Sequence, residues 1–436
     1  MRPVRSVPGV LIVGALLAAL AGCGPTAQTP TAPPAATPAA GVTGQPSTSA
    51  SPSASPLTGP SASAPSPSVS DASFTAQGWR RVGGQPTLDA VQLGRLVWTG
   101  SRFVASGTAL DGGAVILDSA DGLAWHVQPA LGADTSIRGL AVGPDGLVAV
   151  GSHGGSARSW ASSDGLSWVA SPDGAALRPS GNDTVTMTAA TPRDGGWLAV
   201  GSEAPPCAID CDGSSIRAIV WTSTDGRHWT RQPNGTSLAH AAMTGVVRGG
   251  PGFVAVGRAP DRPTTGASSP THAVAWTSKD GRSWSRVPDA PVFHAPAGTD
   301  QTFGDSMTSV AIAGNRLVAV GTVGTQDGVG SALAWWSDDG RHWSRATGQR
   351  FPYGQLFNVA AIRGGFVATG PSGADSCLGG IWSATDGTSW TCDAADQAFD
   401  GFAAYAGATS PFVEVVVGLG DTTVGLGTTA WRRDLP

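Results

Sequence analysis

One heptapeptide, present six times, constrains the fold of this chain more than any other feature. The copies are Ser119-Ala-Asp-Gly-Leu-Ala-Trp125, Ser162-Ser-Asp-Gly-Leu-Ser-Trp168, Ser223-Thr-Asp-Gly-Arg-His-Trp229, Ser278-Lys-Asp-Gly-Arg-Ser-Trp284, Ser337-Asp-Asp-Gly-Arg-His-Trp343 and Ala384-Thr-Asp-Gly-Thr-Ser-Trp390. Asp121, Asp164, Asp225, Asp280, Asp339 and Asp386 are spaced 43, 61, 55, 59 and 47 residues apart, the span of one four-stranded propeller blade with loops of variable length. Asp-Gly between two apolar stretches is a hairpin signal, because glycine adopts positive φ without steric cost. The aspartate can accept turn amides and the serine hydroxyl can cap the same loop, so these aspartates are expected to be structural.

Each copy follows a leading half of two short apolar strands around a Gly/Asn turn, as in the stretch from Met307 to Gly321. A third strand such as 273–277 enters the Asp-Gly turn and a fourth such as 283–287 leaves it. Six such units lie between 92 and 394. A seventh leading half follows at 402–406 and 412–418, with a third strand at 428–432 carrying Trp431, and the sequence given then stops at Pro436. The missing fourth strand is matched by Gly78-Trp79-Arg80-Arg81-Val82. The reading is all-β: a seven-bladed propeller over 73–436, closed by an N-terminal strand at 78–82 that pairs with the C-terminal blade, an arrangement that removes the free sheet edge.

The heptapeptide resembles the Asp-box of sialidases and other bacterial-neuraminidase-repeat proteins, shortened by one residue between Asp and Gly in every copy, and with Ala384 replacing the first Ser in the sixth. The resemblance covers 92–394 and implies a sialidase-like propeller fold. It does not extend to the sialidase active site, which needs three arginines on the substrate carboxylate, a Tyr/Glu pair and an acidic Asp. The family's early Arg-Ile-Pro is absent and only Tyr353 and Tyr405 are present. Seven-bladed Asp-box relatives include assembly factors and xyloglucan hydrolases, the latter working between two propellers, of which this sequence shows one.

The N-terminal end reads as an address. Arg2 and Arg5 precede the apolar run 10–21, too short for a membrane span and suited to a secretion signal over 1–22. The run ends in Leu20-Ala21-Gly22-Cys23, which resembles the lipobox of bacterial lipoproteins and implies lipid on Cys23. Residues 24–70 hold no charge and 11 prolines, so 23–72 is expected to be a disordered tether. The expected location is a bacterial cell membrane, lipid-anchored and facing outward. The formal charge is -5 with Lys279 as the single lysine, which argues against nucleic acid and against a polybasic lipid patch.

Setting Cys23 aside leaves four cysteines. Cys377 and Cys392 flank the Asp386-Gly387 turn and are expected to staple it, while Cys207 and Cys211 share one insertion. Both pairs suit an oxidising exterior. A Cys-x-x-x-Cys metal site at 207/211 would lack a second ligand pair.

Function is expected on the long-loop face, formed by second-to-third-strand loops and blade-to-blade connections, where the length variation lies. Phe293, His294, Asp300, Phe303, Asp305 and Tyr353 are the candidates there. The channel is expected to be lined by Gly94, Arg138, Thr188, Thr244, Thr308, Asn358 and Ala403, with Arg138 available to an anion. The histidines show no ligand spacing, so no metal and no cofactor are expected. The expected role is that of a monomeric binding or assembly scaffold for a protein or glycan partner. The alternative is a carbohydrate-active protein, either a glycan binder or a glycoside hydrolase.

Overall fold

A computed structural model of the chain describes residues 77–435 apart from 111, 130, 207–214, 262–269, 295–304, 324–330, 348–350, 352–354, 372–376 and 423–424. Cys23, the signal and the whole of the tether lie outside the described residues, as do Cys207, Cys211, Asp300, Phe303 and Tyr353. No helix among the described residues is long and apolar enough to cross a membrane.

The strands form seven four-stranded antiparallel sheets, the blades of a propeller. Their first strands are Val91–Trp98, Thr135–Gly143, Thr184–Arg193, Ala242–Gly249, Asp305–Ala313, Asn358–Ile362 and Ala403–Thr409, which number the blades 1 to 7. Each first strand contacts those of both neighbours, and blade 1 contacts blade 7, so the seven surround one axial channel. The outer strand of blade 7 is Arg80–Val82, paired through Arg80↔Arg432, Arg81↔Trp431 and Val82↔Ala430. Trp79 and Trp431 are buried with Phe399 and Phe402, and the Arg433 guanidinium lies 4.5 Å over the Trp79 ring.

The Asp-Gly turns show why the heptapeptide recurs. In blade 4, the Gly281 amide donates to Ser278 Oγ at 2.9 Å, and the Arg282 and Ser283 amides donate to Asp280 Oδ1 at 2.8 and 2.9 Å. Backbone amides of Ser283 and Arg282 hold the Asp280 carboxyl below its usual range. Burial alone would raise Asp225, but the His228 and Arg227 hydrogen bonds outweigh it and keep this carboxyl strongly ionised. Where Ala384 replaces serine, Asp386 instead accepts from the Thr388 amide and hydroxyl at 2.9 and 2.8 Å. The glycine is required twice over. Gly226 has φ +74°, and an added Cβ would lie 2.5 Å from Val148 of the preceding blade.

Tryptophan four residues before the aspartate fixes the connections. Trp221, Trp276 and Trp335 are fully buried, and their indole N–H groups donate to carbonyls of Ala176, Ser237 and Val292. Those carbonyls belong to short 3-10 turns in the blade-to-blade segments, so each blade's third strand holds the connection that entered it. Burying an indole removes roughly 200 Å² from water, worth about 5 kcal/mol before conformational entropy opposes it.

Candidate functional site

Two places depart from the repeat. The first is the channel. In blades 1 to 5 and 7 the first strand carries a bulge, one extra residue between paired neighbours: Gly94, Arg138, Thr188, Thr244, Thr308 and Tyr405. The residue just before each bulge faces a glycine of the second strand, such as Met307↔Gly321. A Cβ on Gly321 would sit 1.8 Å from the Ser306 carbonyl oxygen, so the bulge requires glycine opposite it. In blade 6, a Cβ on Gly370 would meet Gln355 and Leu356 in the same way, which makes Phe357 the equivalent position. Asn358 and Ala403, expected at these positions, are therefore displaced by one and two residues, and Phe357 and Tyr405 take their places. The inserted residue shifts the in–out alternation by one, so that two partly exposed positions such as Thr308 and Ser309 follow one another.

The bulged threonines are not free wall groups. Thr188 Oγ1 is shared between the carbonyls of Val200 in its own blade and Met243 in the next, at 3.1 and 2.7 Å. Thr244 repeats this with Val256 and Met307, and Thr308 with Val320 and Leu356. Each clamps two blades together. Elsewhere the clamp is replaced. Arg95 Nε donates to the Arg138 carbonyl and Nη1 to the Gly94 carbonyl, both at 2.7 Å, while Nη2 has no hydrogen bond among the described residues. Phe357 and Tyr405 stack on each other at 5.3 Å between ring centres.

The channel encloses a cavity of about 270 Å³ whose wall includes Arg95, Arg138, Thr188, Thr244, Thr308 and Phe357. Among the described residues that wall has no Asp or Glu. Burial, reinforced by the Arg138 charge, pushes Arg95 down to about 10, and burial lowers Arg138 as well. Both stay charged at neutral pH. Burial raises the Tyr405 phenol.

The second departure lies on the long-loop face between blades 4 and 5. Asp261 and His272 sit at the ends of the paired strands Gly252–Pro260 and Thr271–Ser278, where the Asp261 amide donates to the Pro270 carbonyl at 2.8 Å. His294 follows the 3-10 turn Pro291–Phe293, which is pinned through the Val292 carbonyl by Trp335 and by Arg345 Nε at 3.0 Å. His272 Nδ1 lies 2.8 Å from Asp261 Oδ1, His294 Nδ1 lies 3.9 Å from the same oxygen, and the two rings stack at 4.8 Å. His294 Nε2 lies 2.9 Å from Asp289 Oδ1.

Asp305 belongs to this neighbourhood. Its backbone carbonyl accepts from Thr271 Oγ1 at 3.0 Å, yet the residue is 1% exposed and neither carboxyl oxygen has a hydrogen-bond partner among the described residues. Burial pushes it up to about 7 against the pull of Arg345 and His294, with Asp261 adding to the rise.

Of the candidates named from sequence, the structure thus brings together His294 and Asp305 and places Arg138 in the channel. Phe293 is corrected: it is 3% exposed and packed in the core of blades 4 and 5, so it anchors its turn and offers no ligand surface. Sequence reading missed Arg95, Phe357, Asp261 and His272. The glycines at 370 and 418 were the available signal for the channel register. Cys377 and Cys392 form a disulfide with Cα atoms 5.7 Å apart.

No protein-family model matches the sequence, and no curated protein matches it. Solved structures do. Trypanosoma rangeli sialidase in complex with sialic acid is 11% identical, covering 81% of this chain and 56% of its own, with a TM-score of 0.41. SapL1 lectin in complex with alpha methyl fucoside is 15% identical over 70% of this chain and 95% of its own, also at 0.41. A glycoside hydrolase is 11% identical over 82% and 91%, at 0.37. The chain spans little more than half the length of the sialidases it matches. At this distance the likeness carries nothing about activity, and the architecture rests on the seven sheets themselves.

Proposed function

We propose that this is a lipid-anchored extracytoplasmic protein whose propeller binds a ligand and takes an anionic group of it at Arg95 and Arg138 in the axial channel. One observation carries the reading: two guanidinium groups share a half-enclosed wall that holds no carboxylate among its described residues. Two guanidinium groups of like charge beside one partly desolvated cavity favour an anion there, held by charge-assisted hydrogen bonds. The same wall offers no carboxylate pair for glycoside hydrolysis, which supports binding over that chemistry. An acidic saccharide is the ligand class that would use both the guanidinium pair and the aromatic Phe357 beside it. The anchor rests on Cys23 and the run before it, and the uncharged tether would carry the propeller clear of the membrane.

Calorimetry on the full chain in detergent micelles tests this, with an acidic oligosaccharide against its neutral analogue. The acidic form should bind at least tenfold more tightly, and Arg95→Ala should abolish the preference. Equal affinity for the two forms would overturn the reading. In bacterial cells producing the full chain, Cys23→Ser should move the protein from the membrane to the soluble fraction.

A further inference from the structure

We propose that Asp261, His272 and His294 form a binding site for a divalent transition-metal ion of the zinc type, independent of the channel and sharing no residue with its wall. Each residue offers one ligand atom, and the three atoms lie within 4.8 Å of one another. A tetrahedral site with bonds of 2.0–2.1 Å places ligand atoms about 3.3 Å apart, so the His272–Asp261 pair, at 2.8 Å, opens slightly while His294 moves in from 3.9 Å. Two imidazoles with one carboxylate select zinc, copper, nickel or cobalt over calcium or magnesium, which prefer oxygen alone. Three protein ligands leave a fourth position open to water or to a ligand atom.

The surroundings fit such an ion. The Asp289 carboxylate holds His294 through Nε2, at 2.9 and 3.1 Å, which leaves Nδ1 turned toward Asp261 as the ligand nitrogen. A carboxylate behind a ligating imidazole is the usual outer partner of a metal site, fixing the tautomer. The turn bearing His294 is held by Trp335 and Arg345, and the strands bearing Asp261 and His272 are paired, so the trio is positioned before any ion arrives. The second, independent observation is Asp305. This residue is buried, both of its carboxyl oxygens lack partners among the described residues, and its backbone carbonyl accepts from Thr271, the neighbour of His272. A cation seated at the trio would add positive charge close to this buried carboxyl, which no hydrogen bond satisfies among the described residues.

The test uses the full chain in detergent, stripped with chelator and titrated with Zn2+ alone. One ion per chain should bind and raise the melting temperature, while Ca2+ at the same concentration should not. His272→Ala and His294→Ala should each weaken Zn2+ binding at least 100-fold, and Asp289→Asn should weaken it 10- to 100-fold as an outer partner. Exposed His228 and His342 also contact aspartates, so the double variant His228→Ala/His342→Ala serves as control and should bind as the wild type does. If a trio variant fails to fold, the Co2+ complex of the wild-type chain decides, since its absorption and hyperfine-shifted histidine resonances report two imidazole ligands. Zn2+ binding unchanged by both trio substitutions, equal responses to Zn2+ and Ca2+, or Co2+ without imidazole signals would overturn the site.

Discussion

The channel has two unlike halves. In blades 3, 4 and 5 the bulged residue is threonine, and each hydroxyl ties its own blade to the next. From blade 6 through blade 7 to blades 1 and 2 the same position holds Phe357, Tyr405, Gly94 and Arg138, with Arg95 beside them. The first half spends the position on stability. The second gives up that clamp and turns charge and aromatic surface toward the cavity. In a ring of repeats, a shared residue serves the scaffold they share, and functional chemistry is to be sought where the repeat is broken.

The largest effect expected is in the clamped half. Glu203 is wholly buried and held by Arg217, Arg231 and the Ser180 amide. Burial opposes its ionisation, but these partners outweigh it and hold it at about 2. Glu203→Ala leaves Arg231 without its carboxylate and Arg217 with Asp183 alone, and should cost about 3–5 kcal/mol in denaturant unfolding. Glu414 in blade 7 is equally buried but has Arg433, which it shares with Asp393, and burial raises it. The two glutamates should therefore respond to pH in opposite directions. A depressed carboxyl contributes stability above its unfolded value near 4.5 and loses it as pH falls toward 2; a raised one costs stability as pH climbs above 4.5. Melting curves between pH 2.5 and 7 should show a shallower acid loss for Glu203→Gln and a steeper one for Glu414→Gln. The same sign for both would remove this contrast between the halves.

Blade 6 lacks the clamp and has first and second strands of only five residues each, so its stability should lean on the disulfide. Cys377→Ser with Cys392→Ser, opening a loop of 15 residues, should cost about 3 kcal/mol. The smallest effect belongs to a single clamp. Thr244→Val should cost about 1 kcal/mol, read in denaturant unfolding.

The architecture was legible because its signals are local and repeated. Asp-Gly with tryptophan on either side sets a turn whose hydrogen bonds close within four residues, and Trp431 marked a seventh unit lacking a turn of its own. The channel register was legible in blades 1 to 5, where Gly94, Arg138, Thr188, Thr244 and Thr308 are the bulged residues. Leu356-Phe357 and Ala404-Tyr405 disguise it, and only the facing glycines reveal it. The histidine trio was not legible at all. Asp261 and His272 meet because the strands on either side of 262–269 pair, and His294 arrives from the next connection. Partners set by tertiary pairing carry no spacing rule in sequence.

Arg138→Thr tests the contrast between the halves most directly, because it gives blade 2 the residue found in blades 3, 4 and 5. Melting of the full chain with and without an acidic oligosaccharide reads both consequences at once. The melting temperature without ligand reports whether the new threonine clamps blade 2 to blade 3, and the ligand-induced shift should disappear. A lower melting temperature with the ligand shift intact would contradict the account, placing Arg138 among the scaffold residues and the ligand elsewhere.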